Sequence, residues 1–198
     1  LKIRSDFRLM SSEEFIKEYL LQAAEVNTRL AGQSAKIAEI GDALIQVFQQ
    51  GGHLYACGNG GSSCDAMHLV EELVARYKRE RPGIPAHHFI DGPTLTCWGN
   101  DYDYVSAFER QATTLLSARD VLVVFSTSGN SENIIRALKA AKLKGTATVA
   151  LLGKGGGKAK GVADYELIVD SETTSHIQEA HMAIVHLLCE QIEVALFG

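Results

Sequence analysis

Five consecutive apolar residues, Val121 to Phe125, run straight into Ser126-Thr127-Ser128-Gly129-Asn130-Ser131, and a helical pattern follows from Glu132 to Lys144. An apolar run of strand length with no polar alternation belongs to a strand covered on both faces. The same order occurs earlier. His53-Leu54-Tyr55-Ala56-Cys57 leads into Gly58-Asn59-Gly60-Gly61-Ser62-Ser63, and helical spacing follows through Met67, Leu69, Val70 and Leu73. Two strand–turn–helix units of this kind restrict the chain to a parallel α/β sheet with helices on both faces.

The remaining segments fit that frame. Ser11-Ser12-Glu13-Glu14 reads as a helix start, with hydroxyl caps and early carboxylates. Apolar residues continue at helical spacing through Phe15, Leu20, Leu21, Ala24 and Val26. A second helix carries Ile37, Ile40, Ala43, Leu44 and Val47 and ends at Gly51-Gly52. Further strands are expected at His87–Ile90, Ala147–Leu152 and Tyr165–Val169, and helices at Val105–Leu116 and Ser175–Phe197. Lys154 to Gly161 is a glycine- and lysine-rich turn. The organisation expected is an N-terminal helical segment, residues 1–50, followed by the sheet domain, residues 51–198.

In open parallel sheets, ligands bind beyond the carboxyl ends of the strands, where both special loops fall. Gly60 and Gly61 clear side chains from the approach, and the helix behind them offers free N–H groups and partial positive charge to an anion. Ser126, Thr127, Ser128 and Ser131 add hydroxyls around one turn. Neither loop is a dinucleotide fingerprint or a Walker loop, because GNGGSS is not GxGxxG and no GK[ST] follows the glycines. The formal net charge of −5 argues against a broad nucleic-acid surface. No uninterrupted apolar run approaches the roughly 18 residues of a membrane span, and Leu1 to Met10 show no signal-peptide core. Cys57, Cys64, Cys97 and Cys189 lack CxxC spacing and are expected to be buried, reduced thiols, which points to the cytoplasm.

STSGNSENII after an apolar strand resembles the signature of SIS (sugar isomerase) domains. CGNGGSSCDAMHLVEELVARY, RPGIPA, WGNDY, LLGKGGG and HIQEAHMAIVH, in this order, resemble the sedoheptulose 7-phosphate isomerases, or phosphoheptose isomerases. The resemblance spans about Ser12 to Phe197. It implies a flavodoxin-like five-stranded parallel sheet flanked by helices. It also implies a homotetramer with active sites between subunits and N-terminal helices that take part in assembly. The implied reaction converts sedoheptulose 7-phosphate to D-glycero-D-manno-heptose 7-phosphate, the first step toward nucleotide-activated heptoses of bacterial surface glycans. By the resemblance, Asn59, Gly60 and Gly61 contact substrate, Ser62 lies near the phosphate, and Asn100 and Asp101 meet the sugar. Ser126, Thr127, Ser128 and Ser131 hold the phosphate. His68, Glu72, Gln178 and His186 match the zinc ligands, Glu72 and Gln178 also facing substrate, and Glu72 and His186 match the acid/base pair.

Ketose–aldose exchange needs a base for a carbon-bound proton and an acid for the carbonyl oxygen, tasks suited to Glu and His. His68 and Glu72, four apart on a helix, share a face. Gln178 and His186, eight apart, are offset by roughly 80° and only loosely co-facial. A His-Glu-Gln-His set is compatible with zinc. His53, His87, His88, His176 and His181 receive no role, and Cys57, Cys64 and Cys97 are expected to pack. Where the family usually carries acidic and basic residues before the Ile-Gln pair, this chain has Thr174, Ser175 and His176. Two rival readings are a non-catalytic SIS adaptor of replication initiation and a phosphosugar sensor. The presence of His68, Glu72, Ser128 and His186 argues against the first, and the lack of room for a DNA-binding domain against the second.

Overall fold

The computed structural model describes residues 10–198; the reading of Leu1 to Leu9 lies outside them. Five parallel strands form one sheet in the order β2-β1-β3-β4-β5. They are β1 (Leu54–Gly58), β2 (Ala86–His88), β3 (Val121–Ser126), β4 (Ala147–Gly153) and β5 (Tyr165–Val169). The helices are α1 (Ser12–Ala31), α2 (Ser34–Gln49), α3 (Gly61–Val74), α4 (Gly92–Asp101), α5 (Ala107–Leu115), α6 (Glu132–Leu143) and α7 (Thr174–Phe197). β1 and β3 are buried along their whole length, as their unbroken apolar runs require.

Two departures from the sequence reading have local causes. β2 is Ala86–His88 rather than His87–Ile90. It is a three-residue edge strand paired only with β1, and the chain leaves the ladder at Phe89, whose N–H still reaches Ala56 O. The apolar pattern does not predict α4. This helix buries no side chain completely, so it leaves no apolar period in the sequence. It starts on a local signal instead: Asp91 accepts from the Thr94 N–H at 2.9 Å, and Pro93 occupies the first turn.

The strand order reverses between β1 and β3, which sends the helices that follow them to opposite faces. α3 packs with α1, α2 and α7 in a core that includes Leu44, Leu69, Leu73, Phe125, Ile184 and Leu188. α6 packs with α5 around Phe89, Phe108, Leu122, Ile134 and Leu138. Each fully buried Leu, Ile or Phe contributes about 1.5–3 kcal/mol over its exposed state. α7 is long and apolar enough to cross a bilayer by length and composition, but its Ile177, Ala180, Ile184, Leu188 and Ile192 lie in the first core.

Cys57 and Cys189 are buried, but Cys64 and Cys97 are exposed, contrary to the packing role expected of them. Both sit on helix surfaces, at the start of α3 and in α4. All four are free thiols. Burial pushes the Cys57 thiol up and takes that of Cys189 to about 12, which keeps both protonated.

Candidate active site

The crevice at the β1/β3 reversal is lined by the loops that follow those strands. α3 begins at Gly60-Gly61 and α6 at Ser131, and neither helix has a side-chain cap. α2, α5 and α7 also start without a side-chain cap, whereas α1 and α4 carry one. Ser11 and Glu14 form a full capping box on α1, and Asp91 caps α4. The uncapped N–H groups at the crevice are left for an anion.

The two loops are tied together. Asn59 Nδ2 donates to Asn133 Oδ1 and Asn133 Nδ2 donates to Asn59 Oδ1, both at 2.9 Å. Tyr104 OH donates to the same Asn59 oxygen at 2.7 Å. The Asn59 acceptor is thus committed to structure, and its side chain has one N–H left for a ligand. Neither Asn133 nor Tyr104 was singled out from sequence. Asn133 looks like an ordinary first-turn residue until its burial, at 4% exposure, is seen.

Serine positions differ in their freedom. Ser126 Oγ accepts from the Gly129 N–H at 3.1 Å and Ser128 Oγ from the Asn130 N–H at 3.2 Å, so each keeps its hydroxyl proton to donate. Ser131 is the uncapped start of α6, Thr127 is half-buried, and Ser62 is buried in the first turn of α3. The glycine turn after β4 supports this loop from outside: Ala159 N–H donates to Gly129 O at 2.8 Å, and Lys158 N–H to Asn130 Oδ1 at 3.1 Å.

Farther along α3, His68 Nε2 lies 3.1 Å from Glu72 Oε1. His186 of α7 joins them, its ring edge-on to that of His68 at 5.4 Å. One donor atom from each of the three falls within 4.8 Å of the others. Gln178 enters from the start of α7 against the glycine loop: a β-carbon at Gly61 would stand 2.3 Å from its Nε2. Asn100 and Asp101 lie on the last turn of α4, exposed and bonded to each other at 2.8 Å. Among the described residues no hydrogen bond joins them to the two loops, and Tyr104 OH ties the segment that follows them to Asn59. Trp98 and Tyr102 stack at 4.2 Å, with Tyr102 mostly exposed rather than in the core.

A cation fits the His68–Glu72–His186 group chemically. Zinc with bonds of about 2.0–2.1 Å holds its ligand atoms about 3.3 Å apart, a spacing the His68–Glu72 contact of 3.1 Å already has. Imidazole nitrogens and a carboxylate oxygen are its common donors.

The same two helices carry two buried titratable side chains that the sequence did not mark, Asp65 on α3 and His181 on α7. Burial pushes Asp65 up to about 6 against the opposing pull of His68, and its Oδ2 has no hydrogen-bond partner. Burial takes His181 down to about 4, against its bond to Leu152 O at 3.2 Å. Since that partner can only accept, Nε2 carries the proton and Nδ1 is left without a partner. The unfolded chain protonates His181 near pH 6.5, before the folded one. His181 therefore contributes stability above pH 6.5 that is lost as pH falls toward 4, up to about 3 kcal/mol. Asp65 has the opposite sign, since its contribution falls as pH rises from about 4 to 6. In urea titrations from pH 7 to 4, His181→Gln is expected to lose less stability than the parent and Asp65→Asn more. Parallel curves for parent and variants would contradict both assignments.

His176 is buried at 3% exposure, its ring 4.4 Å from that of Tyr19 on α1, and Tyr19 OH donates to Glu179 at 2.6 Å. The unusual Thr174-Ser175-His176 stretch thus fastens α1 to the start of α7.

The likeness of this chain to known proteins is specific. The SIS domain profile matches residues 18–153. A phosphoheptose isomerase of a Geobacter species (strain M21) is 45% identical over 93% of this chain and 97% of its own. One from Vibrio cholerae is 43% identical over 91% and 97%. The solved phosphoheptose isomerase of Francisella tularensis superposes with a TM-score of 0.90 at 34% identity, covering 93% of this chain and 100% of its own.

Proposed function

Because the chain belongs to the phosphoheptose isomerases of the SIS-domain family, we propose that it interconverts sedoheptulose 7-phosphate and D-glycero-D-manno-heptose 7-phosphate, supplying the synthesis of nucleotide-activated heptoses. The observation that carries the reading is the His68–Glu72–His186 group, seated on α3 and α7 beside a crevice with two uncapped helix starts. Seven residues separate Gly61 from His68, about 10 Å along the helix. That is the order of length of an extended phosphorylated heptose. Ser126, Thr127, Ser128 and Ser131, with the N–H groups of Gly60 and Gly61, grip the phosphate, and Ser62 lies near it. Asn59, Asn100, Asp101 and Gln178 orient the sugar.

One member of the Glu72/His186 pair removes a proton from C1 while the C2 carbonyl oxygen takes one up, and the electron pair becomes the C1–C2 double bond of an enediol. Return of a proton to C2, with loss of the O1 proton, completes the aldose. The pair works at a half-buried site, where its charges are less screened than in water. His68, Glu72, Gln178 and His186 would hold a zinc ion, which when bound supplies Lewis acidity toward the substrate's oxygens.

The assembly we propose is a homotetramer with sites between subunits. Support comes from apolar side chains that the single chain leaves exposed, Ile16, Leu20 and Leu21 on α1 and Leu187 and Val194 on α7. Residues 1–50 would serve that assembly and residues 51–198 the chemistry. Four free thiols suit the cytoplasm, and a net charge of −5 suits a small anionic substrate held by local N–H groups rather than nucleic acid.

The test is turnover of sedoheptulose 7-phosphate, beside His186→Ala and with a chelator present. The expected result is an aldoheptose phosphate product, lost in the variant, with activity reduced by the chelator and restored by zinc. A well-folded parent chain that binds the phosphosugar but leaves it unconverted would overturn the reading in favour of a sensor or adaptor.

A further inference from the structure

Residues 75–85 carry the chain from α3 to β2, and one side chain of α7 anchors their first part. Glu193 lies seven residues beyond His186, two turns along the same side of the helix, and it has no solvent exposure. Its carboxylate accepts the N–H groups of Tyr77 at 3.1 Å, Lys78 at 3.2 Å and Arg79 at 3.0 Å, and Nε of Arg81 at 2.8 Å. Arg81, 1% exposed at its side chain, turns its two terminal nitrogens on α3. One donates to Leu73 O at 2.9 Å and the other to the backbone carbonyl of Glu72 at 2.8 Å. Both carbonyls belong to the last turn of α3, where the helix supplies no partner. The ring of Tyr77 then lies on that of His186, centroids 5.8 Å apart and planes 19° from parallel.

We infer that Arg81, Glu193 and Tyr77 form a positioning clamp that sets where Glu72 stands relative to His186. The inference rests on the reading of those two residues as the reacting pair. They lie on different helices, so their separation is a property of tertiary packing and not of helix geometry. The clamp joins those two helices at the reacting residues: it holds Glu72 by its own carbonyl and His186 by its ring face. A buried ion pair is weak support for stability taken alone, whereas fixing two reactive groups is a task for which displacement by about 1 Å can cost about 100-fold in rate.

The test compares the parent chain with Arg81→Lys, Glu193→Gln and Tyr77→Leu. Lysine keeps a charge opposite Glu193 but has no fork to hold two carbonyls. Tyr77→Leu leaves the buried pair intact, so it keeps the idea open to refutation if the other two do not fold. Two quantities are read: kcat and KM for sedoheptulose 7-phosphate, and affinity for zinc in competition with a chromophoric chelator. The expected result is kcat lower by about 10- to 100-fold with KM within about twofold, and zinc held about tenfold more weakly. Folded variants with parental kcat and zinc affinity would overturn the clamp, and so would a loss carried by KM. A parent chain that leaves the substrate unconverted refutes the proposed function instead, and the zinc affinities then decide the clamp.

Discussion

Replacing Glu72 by glutamine is expected to lower kcat by about 100- to 10,000-fold, which is about 3–5 kcal/mol of barrier, with little change in KM. Glutamine has the same shape and a similar helix propensity. It can still meet His68, now 3.1 Å from the carboxylate. What it loses is the ability to take up a proton. The serine loop is anchored in the other core, and the glycine loop lies about three turns back along α3, so the change leaves the phosphate grip in place. Rate and KM should therefore separate cleanly, as they do when an interaction is made only in the transition state. A steady-state assay on protein with a parental circular dichroism spectrum checks this. A variant within a few-fold of the parent would place the essential base elsewhere.

Gly129→Ala should be nearly as damaging, for a different reason. Gly129 has φ +61°, and a β-carbon there would stand 1.9 Å from the Gly156 carbonyl oxygen. The left-handed conformation alone costs an L-residue about 1–2 kcal/mol. The clash falls on backbone, so it cannot be relieved by a side-chain rotation. The glycine turn after β4 must move, and with it the bonds it makes to Gly129 O and Asn130. We expect a loss of about 3 kcal/mol or more in urea unfolding and phosphosugar binding weakened at least about 100-fold by calorimetry. Gly155→Ala is the control: φ is +72° but nothing lies within 4 Å, so only the conformational cost applies. If Gly129→Ala binds the phosphosugar like the parent, the loop around it is not the phosphate grip.

Most of the fold could be read where burial leaves a period or an apolar run. The boundaries of β3, β4 and β5 and of α6 and α7 follow the apolar pattern to within about one residue. Where burial is partial the pattern fades, and this is why α4 was missed and β2 was misplaced. The site divides along the same line. His68 and Glu72 are four apart, so their shared face is local arithmetic, and the structure puts them in contact. His186 joins them across more than a hundred residues, a placement that family resemblance suggested and spacing could not. Asn133, Arg81 and Glu193 escaped because their importance comes from what faces them when buried. A side chain that holds a backbone carbonyl or an amide partner on another element has no signature in its own neighbourhood. The exposed Cys64 and Cys97 show the reverse limit: residue type is a poor guide to exposure on the outer side of a helix.

The division of the helices between two separate cores bears on how such a protein can change over time. α6 and the serine loop are anchored in one core, while α3 and α7, with the reactive side chains, are anchored in the other. At the crevice, the paired amides of Asn59 and Asn133 form a narrow hinge point between them. Substitutions that repack α7 beyond Gln178 therefore have a short route to the chemistry and a long one to the serine loop. A lineage can exchange one reaction for another, or abandon reaction altogether, while the handle for the phosphorylated end of the ligand passes down unaltered.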